Sequence, residues 1–361
     1  MKKSKTIKQN VGIDISKDDF RVCFYALSED GKRRIKGSRK FKNSLSGFKE
    51  FLKWVEKHCR DEAPLFFTME ATGVYHEQLA HFLDDKKMSI SVILPNKFKA
   101  YVKSLNVLTK TDKSDAKYLG QMGLERNLLL WKPASPNILS LKQLTRDRVS
   151  LLKERTVVKN KIHALSHSFH PNRQVLKRLR QREKLLTKQL NEVENQIEDS
   201  VKSDDFLWER VEKICEVKGL GIITIATIIA ETGGFKLFTS RSQLVSYAGY
   251  DVIEKESGTS VKGNPKISKK GNRFIRRALY FPAISTVKHE PQFQQTYERI
   301  VVKTTIKKKA LVAVQRKLLL LIYALFTKNE AYDVKYAEKK KKQENQNEEN
   351  CRQELNPAYS G

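Results

Sequence analysis

The hydrophobic residues of this 361-residue chain change their spacing near residue 130. Before that point, stretches such as 11–15 alternate between apolar and polar residues, which is typical of half-buried strands, and stretches such as 44–58 have helical spacing. After it, Leu144, Leu151 and Val158 recur every seven residues, the spacing of helices that pack along a continuous seam. The chain is therefore predicted to contain an α/β part followed by a mainly α-helical part.

The α/β part, residues 8–130, is predicted to form one sheet with helices around it. Its strand-like stretches cover 11–15, 20–26, 33–41, 65–69 and 90–94, and its helical stretches cover 44–58 and 75–83. The first three strands follow one another at hairpin spacing, with Asp30-Gly31 as a turn, and are expected to be antiparallel. Three antiparallel strands followed by alternating helices and strands is the order of a ribonuclease H-like fold.

Residues 133–203 are predicted to form two long helices that separate at Pro171, because proline interrupts a helix. Beyond the proline, an alternating three-and-four spacing continues through Leu176, Leu186 and Ile197. Such a seam has two interpretations. The two helices close on each other as a hairpin, or they form a coiled coil that joins two copies of the chain.

Residues 206–330 are predicted to form a second globular, mainly helical domain, and 338–361 a disordered tail rich in Lys, Glu, Gln and Asn. Within the domain, the sequence KGLG at 218–221 precedes an apolar helical stretch at 222–230. A Gly-x-Gly before a helix is typical of a helix-hairpin-helix element, whose backbone N–H groups can hold a phosphate. The candidate nucleic-acid-binding residues here are Lys218, Gly219 and Gly221.

Four acidic residues stand out by position. Asp14 lies within an apolar strand, where a charge is costly without a partner, and Glu70 ends another strand. Asp112 and Asp115 are three residues apart at a helix start and share one face of that helix. Converging at the strand ends, such acids can hold Mg²⁺, and two such ions stabilise the attacking and leaving oxygens of phosphoryl transfer. The alternative is that the helix dipole stabilises Asp112 and that Asp115 is solvated.

The chain carries 70 Lys and Arg against 41 Asp and Glu, a net charge of +29. Such a surface attracts polyanions, and nucleic acid is the usual one, bound through counterion release. An anionic membrane is the competing partner, but no apolar run approaches the ~20 residues needed to span a bilayer. The four cysteines lie far apart and are expected to be free thiols, which indicates a reducing, cytoplasmic setting.

Residues 258–317 contain 15 Lys and Arg but two acids, and so supply +13 of the net charge. Their candidate phosphate-binding side chains are Lys266, Lys269, Lys270, Arg273, Arg276 and Arg277. Just upstream, Ser257 is expected in a polar loop. Its spacing from the histidines and acids does not mark it as the nucleophile of a catalytic triad.

Motifs along the whole chain occur in the order of a known family. They are VGID at 11–14, EATGVY at 70–75, KTDKSDA at 110–116, KGLG at 218–221, YAG at 247–249, SG at 257–258 and ISKKGN at 267–272. Over roughly residues 8–325 the chain resembles the DEDD transposases of bacterial insertion sequences, the insertion sequence 110/1111 family.

This resemblance implies a RuvC-like catalytic domain, a coiled-coil region for assembly and a C-terminal transposase domain. The four acids would bind Mg²⁺, and Ser257 would attack a DNA phosphodiester to form a covalent phosphoserine. The acids of one subunit would assist the serine of another, within a homodimer or homotetramer. The resemblance also implies a structured non-coding RNA as guide and an association with the bacterial nucleoid.

The chain departs from the family's usual pattern at Lys218 and Ile222, where prolines are common, and at Tyr250 and Val252. Ser260 and Ser268 lie near Ser257 and are alternative nucleophiles. Two other functions fit the same residues. A RuvC-like Holliday-junction endonuclease would use metal-activated water, and a non-catalytic nucleic-acid-binding scaffold would keep the fold without the chemistry.

Overall fold

The structure is a computed structural model. It describes residues 5–59, 63–106, 112–236, 238, 240–253, 256–257, 261–262 and 266–333, and of residues 112–113, 256–257 and 261–262 only the backbone. The chain divides into an N-terminal unit, residues 1–133, and a C-terminal unit, residues 134–361. The predicted tail at 338–361 lies outside the described residues.

The N-terminal unit is built on a five-stranded mixed sheet. Its strands are β1 (Thr6–Ile15), β2 (Asp19–Ser28), β3 (Arg33–Lys42), β4 (Leu65–Glu70) and β5 (Ser89–Ile93), in the order β3-β2-β1-β4-β5. The strands β1, β2 and β3 pair antiparallel, while β1 pairs parallel with β4 and β4 with β5. The predicted α/β class is confirmed.

Helices cover both faces of this sheet. They are α1 (Leu45–His58), α2 (Glu77–Asp85), α3 (Pro95–Ser104) and α4 (Asp112–Glu125). One face carries the main core, in which buried Ile13 and Phe24 pack with Phe51 of α1 and Leu79 of α2. The other face lies under α4, where Cys23 forms a smaller buried cluster with helix residues. The alternating pattern of β1 thus places apolar side chains toward α1 and its remaining side chains toward α4.

The C-terminal unit opens with the two long helices that the seven-residue spacing predicts. They are α5 (Pro136–Ser166) and α6 (Arg173–Lys202), capped at their starts by Ser135 and Asn172. The pairs Arg148–Glu194 and Lys159–Glu183 join them, so the helices run antiparallel and form a hairpin about 45 Å long. Their seam is buried within one chain. Joining of two copies through this region stays a prediction.

Seven helices and four short strands follow within the described residues up to 333. They are α7 (Asp205–Cys215), α8 (Ile222–Glu231), α9 (Arg241–Ala248), β6 (Val252–Ile253), β7 (Glu256–Ser257), β8 (Val261–Lys262), β9 (Lys266–Ile267), α10 (Arg273–Ala278), α11 (Tyr280–His289), α12 (Pro291–Thr304) and α13 (Lys307–Lys328). One core runs through the unit, from Ile138 of α5 through Ile225 of α8 to Phe326 of α13. The apolar helix α8 is central to this core, since seven of its residues are buried.

The helix α13 corrects the expectation that no apolar stretch approaches the length needed to span a bilayer. Among the described residues it is the one helix whose length and composition would let it cross a membrane. Val314, Leu318 and Ile322 are nevertheless fully buried in the core of the C-terminal unit. In this structure α13 is a core helix of that unit.

Candidate active site

Asp14 and Glu70 lie side by side at the carboxyl ends of neighbouring parallel strands. In the register of β1 and β4, Ile13 is the partner of Met69, so the next position in each strand holds one of the two acids. Ile13 and Met69 are fully buried toward α1. Since successive side chains of a strand point to opposite faces, both carboxylates are directed to the face that α4 covers. Each is half-buried there.

The helix α4 brings Asp115 to the same end of the sheet. A Cβ at Gly12 would lie 2.0 Å from the backbone N of Gly120 and 2.2 Å from the carbonyl O of Ala116. One at Gly123 would meet Asn10, which lies two residues nearer the beginning of β1, and the side-chain amine of Lys8, earlier still in that strand, donates to the carbonyl of Leu124. The helix therefore runs antiparallel to β1, with its first turn over the strand ends. Asp115, in that turn, is 7% exposed.

Asp112 is the first residue of α4, one turn before Asp115, and its side chain lies outside the described part of the structure. The backbone thus brings all four predicted acids to the carboxyl ends of β1 and β4, on one face of the sheet. Among the side chains that the structure describes, no group of three or more His, Cys, Asp or Glu is placed to hold a metal ion. The predicted donor set consists of carboxylates alone, which suits a hard cation such as Mg²⁺.

Two cations, Arg21 and Lys40, form a row that continues from Asp14 across the sheet to its outer strand β3. The sequence did not predict this row. Arg21 of β2 is the register partner of Asp14, and Lys40 of β3 is the partner of Arg21, so all three side chains share the α4 face. Lys40 also pairs with Asp19 at 2.5 Å and lowers the pKa of that carboxyl. The strand register is the signal that aligns these residues, and a single sequence does not reveal it.

Ser257 lies in a β-hairpin, and the prediction of a polar loop was wrong at this residue. The strand β7, which contains Ser257, pairs antiparallel with β8, with Ser257 opposite Val261. Closer to the body of the unit, β6 pairs with β9. The chain therefore extends from Val252 and returns at Ile267, and we call residues 252–267 the serine hairpin.

The alternative serines flank this position. Ser260 lies outside the described residues. Ser268 follows the serine hairpin, where its hydroxyl accepts a hydrogen bond from the backbone N–H of Lys270 at 3.2 Å and its own N–H donates to Asp251. Ser268 thus belongs to the base of the hairpin.

The YAG and ISKKGN motifs join at that base. Lys269 donates its N–H to the carbonyl of Gly249, and Asn272 donates its N–H to that of Tyr247. Gly249 has a φ of +73°, and a Cβ at Gly271 would lie 2.4 Å from the carbonyl of Tyr247. Glycine is required at both positions, by backbone conformation at the first and by close approach at the second.

The basic candidates around this base divide into two kinds. Those that are exposed are Lys266, Lys269, Lys270, Arg273 and Arg277. Arg276 is half-buried, and its guanidinium donates to the carbonyls of Ala248, at 2.6 Å, and of Lys269, at 3.3 Å. Arg276 therefore holds the base of the hairpin together, while the exposed cations are placed to meet a polyanion.

The turn at 218–221 joins α7 to α8, as expected for a helix-hairpin-helix element. Gly219 has a φ of +100°, and a Cβ there would lie 2.9 Å from Thr286 of α11. The N–H of Lys218 donates to the buried carboxylate of Glu290 at 3.3 Å. Gly221 is the N-cap of α8, and a Cβ there would meet nothing within 4 Å, so this end of the turn leaves room for a phosphate.

Comparison with known proteins agrees with the motifs. A family model described as a transposase, that of the IS110 DEDD enzymes, matches residues 11–171, and one described as transposase IS116/IS110/IS902 family matches residues 211–298. A pilin gene-inverting protein of Moraxella bovis is 30% identical over 327 residues, covering 90% of this chain and 98% of that protein. This chain belongs to the IS110 family of transposases.

A second relative supports the same family. The transposase for insertion sequence element IS1111A of Coxiella burnetii is 23% identical and covers 89% of this chain and 90% of that protein. As an IS110-family transposase the chain is an enzyme of DNA recombination, and DNA is its substrate. The first family model spans the sheet and its acids, and the second spans the serine hairpin.

Proposed function

We propose that this IS110-family transposase cuts and rejoins DNA through Ser257, with Asp14, Glu70, Asp112 and Asp115 holding Mg²⁺. The observation that carries the proposal is the convergence of the acid positions at one edge of the sheet, under the first turn of α4. The strand order β3-β2-β1-β4-β5 further supports a ribonuclease H-like, RuvC-like assignment of the N-terminal unit.

The proposed chemistry is a pair of transesterifications. The Ser257 hydroxyl oxygen forms a bond to a DNA phosphorus, the bond from that phosphorus to a deoxyribose oxygen breaks, and the departing oxygen takes up a proton. A deoxyribose hydroxyl of another strand then attacks the phosphoserine and releases the serine. Each step exchanges one phosphate ester for another, so no external energy source is needed. Bound Mg²⁺ would stabilise the charge on the attacking and leaving oxygens.

The two halves of this proposed site lie on separate units of the chain. The acids belong to the N-terminal unit and Ser257 to the C-terminal unit. We propose that the acids of one subunit assist the serine of another in a homodimer or homotetramer, and that the helical hairpin α5–α6 contributes to this assembly. The exposed cations beside the serine hairpin would bind the phosphates of the DNA.

The similarity to a pilin gene-inverting protein supports a site-specific reaction, in which two defined DNA sites are exchanged. A structured non-coding RNA as guide is part of the same proposal. The net charge of +29 is consistent with a protein that binds both DNA and RNA. Measuring the affinity for each nucleic acid alone separates the two kinds of binding.

The test uses the purified full-length protein, Mg²⁺ and DNA that carries the element's own junction. Ser257→Ala is expected to abolish both recombination and a denaturation-resistant protein–DNA adduct, while Ser260→Ala and Ser268→Ala, the matched controls, keep them. Full cleavage by Ser257→Ala, without an adduct in the wild-type protein, would instead support the metal-activated water of a Holliday-junction endonuclease. Unchanged recombination by Asp14→Ala would leave the acids only a binding role.

A further inference from the structure

Glu231, at the end of α8, carries a buried carboxylate that has no part in the proposed chemistry. Its side chain is fully buried, although a buried carboxylate is costly unless it is paired and hydrogen-bonded. Arg146 of α5 meets it in a two-pronged contact, with Nε to Oε1 at 2.7 Å and Nη2 to Oε2 at 3.0 Å. The guanidinium also stacks over the ring of Phe274, 4.7 Å from its centre.

The same residue holds both ends of the segment that carries the serine hairpin, one end through its carboxylate and the other through its backbone carbonyl. At the returning end, the side-chain amide of Asn272 donates to Oε2 of Glu231 at 2.6 Å. At the leaving end, the hydroxyl of Tyr247 donates to the backbone carbonyl of Glu231 at 2.9 Å. Tyr247 and Asn272 also bond to each other through their backbones at 2.7 Å. The 24 residues between them therefore start and finish on one buried residue.

The contact with Asn272 also fixes the start of α10. Because the amide nitrogen of Asn272 is directed to Glu231, its oxygen faces the helix and accepts from the N–H groups of Phe274 and Ile275. Losing the carboxylate would free this amide to rotate and would weaken the cap. The base of the serine hairpin and the first turn of α10 would then move together.

We propose that Glu231, with Arg146 and Asn272, positions the serine hairpin, so that the proposed nucleophile depends on the ion pair between this buried carboxylate and Arg146 of the first long helix. Glu231 is a positioning residue and does not touch DNA. The part of this inference that concerns catalysis rests on the proposed role of Ser257. The part that concerns the hairpin itself does not.

The experiment compares Glu231→Gln with Glu194→Gln. Glu194 meets Arg148 of the same helix at the same 2.7 Å, but only across the helical hairpin, and is the matched control. Amide hydrogen exchange of the intact protein, followed by mass spectrometry, reports on the N–H groups of Lys269 and Asn272. We expect Glu231→Gln to speed their exchange by about tenfold or more and Glu194→Gln to leave it unchanged. Unchanged exchange in a folded Glu231→Gln protein overturns the inference.

A second readout tests the consequence for chemistry. Yield of the serine–DNA adduct is expected to fall by about a hundredfold in Glu231→Gln, the cost of a misplacement of about 1 Å, while DNA binding changes less than about twofold. The double variant Glu231→Gln/Asn272→Asp swaps the amide and the carboxylate between the two positions. It is expected to restore both the slow hydrogen exchange and the adduct yield. If Glu231→Gln fails to fold, the double variant decides: when it folds but its Lys269 and Asn272 N–H groups still exchange fast, the positioning role is contradicted. If the wild-type protein forms no adduct, the function proposed for Ser257 fails while the exchange result still decides the inference.

Discussion

Replacing Gly12 with alanine tests how closely α4 must approach the sheet. The new Cβ would lie 2.0 Å from the backbone N of Gly120 and 2.2 Å from the carbonyl O of Ala116, whereas real Cβ contacts essentially never fall below 3.0 Å. Both neighbours are backbone atoms and cannot rotate away. The helix must therefore shift by about 1 Å, and Asp115 shifts with it away from Asp14.

Two losses follow from that shift. Overpacking of this kind costs about 1–3 kcal/mol of stability, and we expect a drop in the Tm of the N-terminal unit by roughly 4–12 °C. A displacement of about 1 Å between reacting groups costs about a hundredfold in rate, so recombination falls far more than stability explains. Differential scanning calorimetry and a junction-DNA recombination assay at 25 °C measure the two separately.

Gly31→Ala is the control for this experiment. Gly31 also has a demanding conformation, with a φ of +74°, but a Cβ there meets nothing within 4 Å. Alanine at this turn should cost about 1 kcal/mol and leave recombination unchanged. Wild-type recombination and an unchanged Tm in Gly12→Ala would refute the reasoning, because α4 would then not be seated as the structure describes.

Three further predictions concern the same face of the sheet. Asp115→Asn is expected to lower adduct formation by about a hundredfold or more while DNA binding, measured by fluorescence anisotropy, is retained; equal loss of both would assign Asp115 to binding. Arg21→Gln, which shortens the row of cations beside Asp14, should weaken DNA binding and reduce the slope of log Kd against log salt by about one, and an unchanged slope would remove Arg21 from the phosphate path. Burial raises the pKa of the Cys23 thiol to about 11, so the thiol stays protonated beneath α4 at pH 8. Peptide mapping should therefore find Cys23 alkylated by iodoacetamide only after unfolding. Rapid labelling of the native protein would show that α4 opens.

The sequence predicts the sheet well because its signals are local. Alternating apolar residues locate the strands, and a turn at Asp30-Gly31 sets the first hairpins. The positions of the acids at strand and helix ends predict that they converge, since the carboxyl ends of parallel strands lie at the same end of a sheet, and their shared metal site stays a prediction. The identity of Arg21 as a neighbour of Asp14 was out of reach, because it depends on strand register, which long-range packing sets.

The C-terminal unit is harder to predict for a related reason. Ser257 sits in a hairpin whose four strands have two residues each, too short for any periodic signal. Glu231 ends an apolar helix and gives no sign in the sequence of its partners, which lie 85 and 41 positions away at Arg146 and Asn272. Heptad spacing predicts the two long helices but does not distinguish packing within one chain from packing between two, because both bury the same seam.

The proposed recombination depends above all on a covalent bond between Ser257 of the serine hairpin and DNA. The most direct measurement traps the reaction with Mg²⁺ and junction DNA, digests the protein and the DNA, and locates the modified residue by tandem mass spectrometry. We expect a nucleotide attached through phosphate to Ser257, and none in the Asp14→Asn protein. A nucleotide on Ser260 or Ser268, or cleaved DNA with no modified residue, would contradict it.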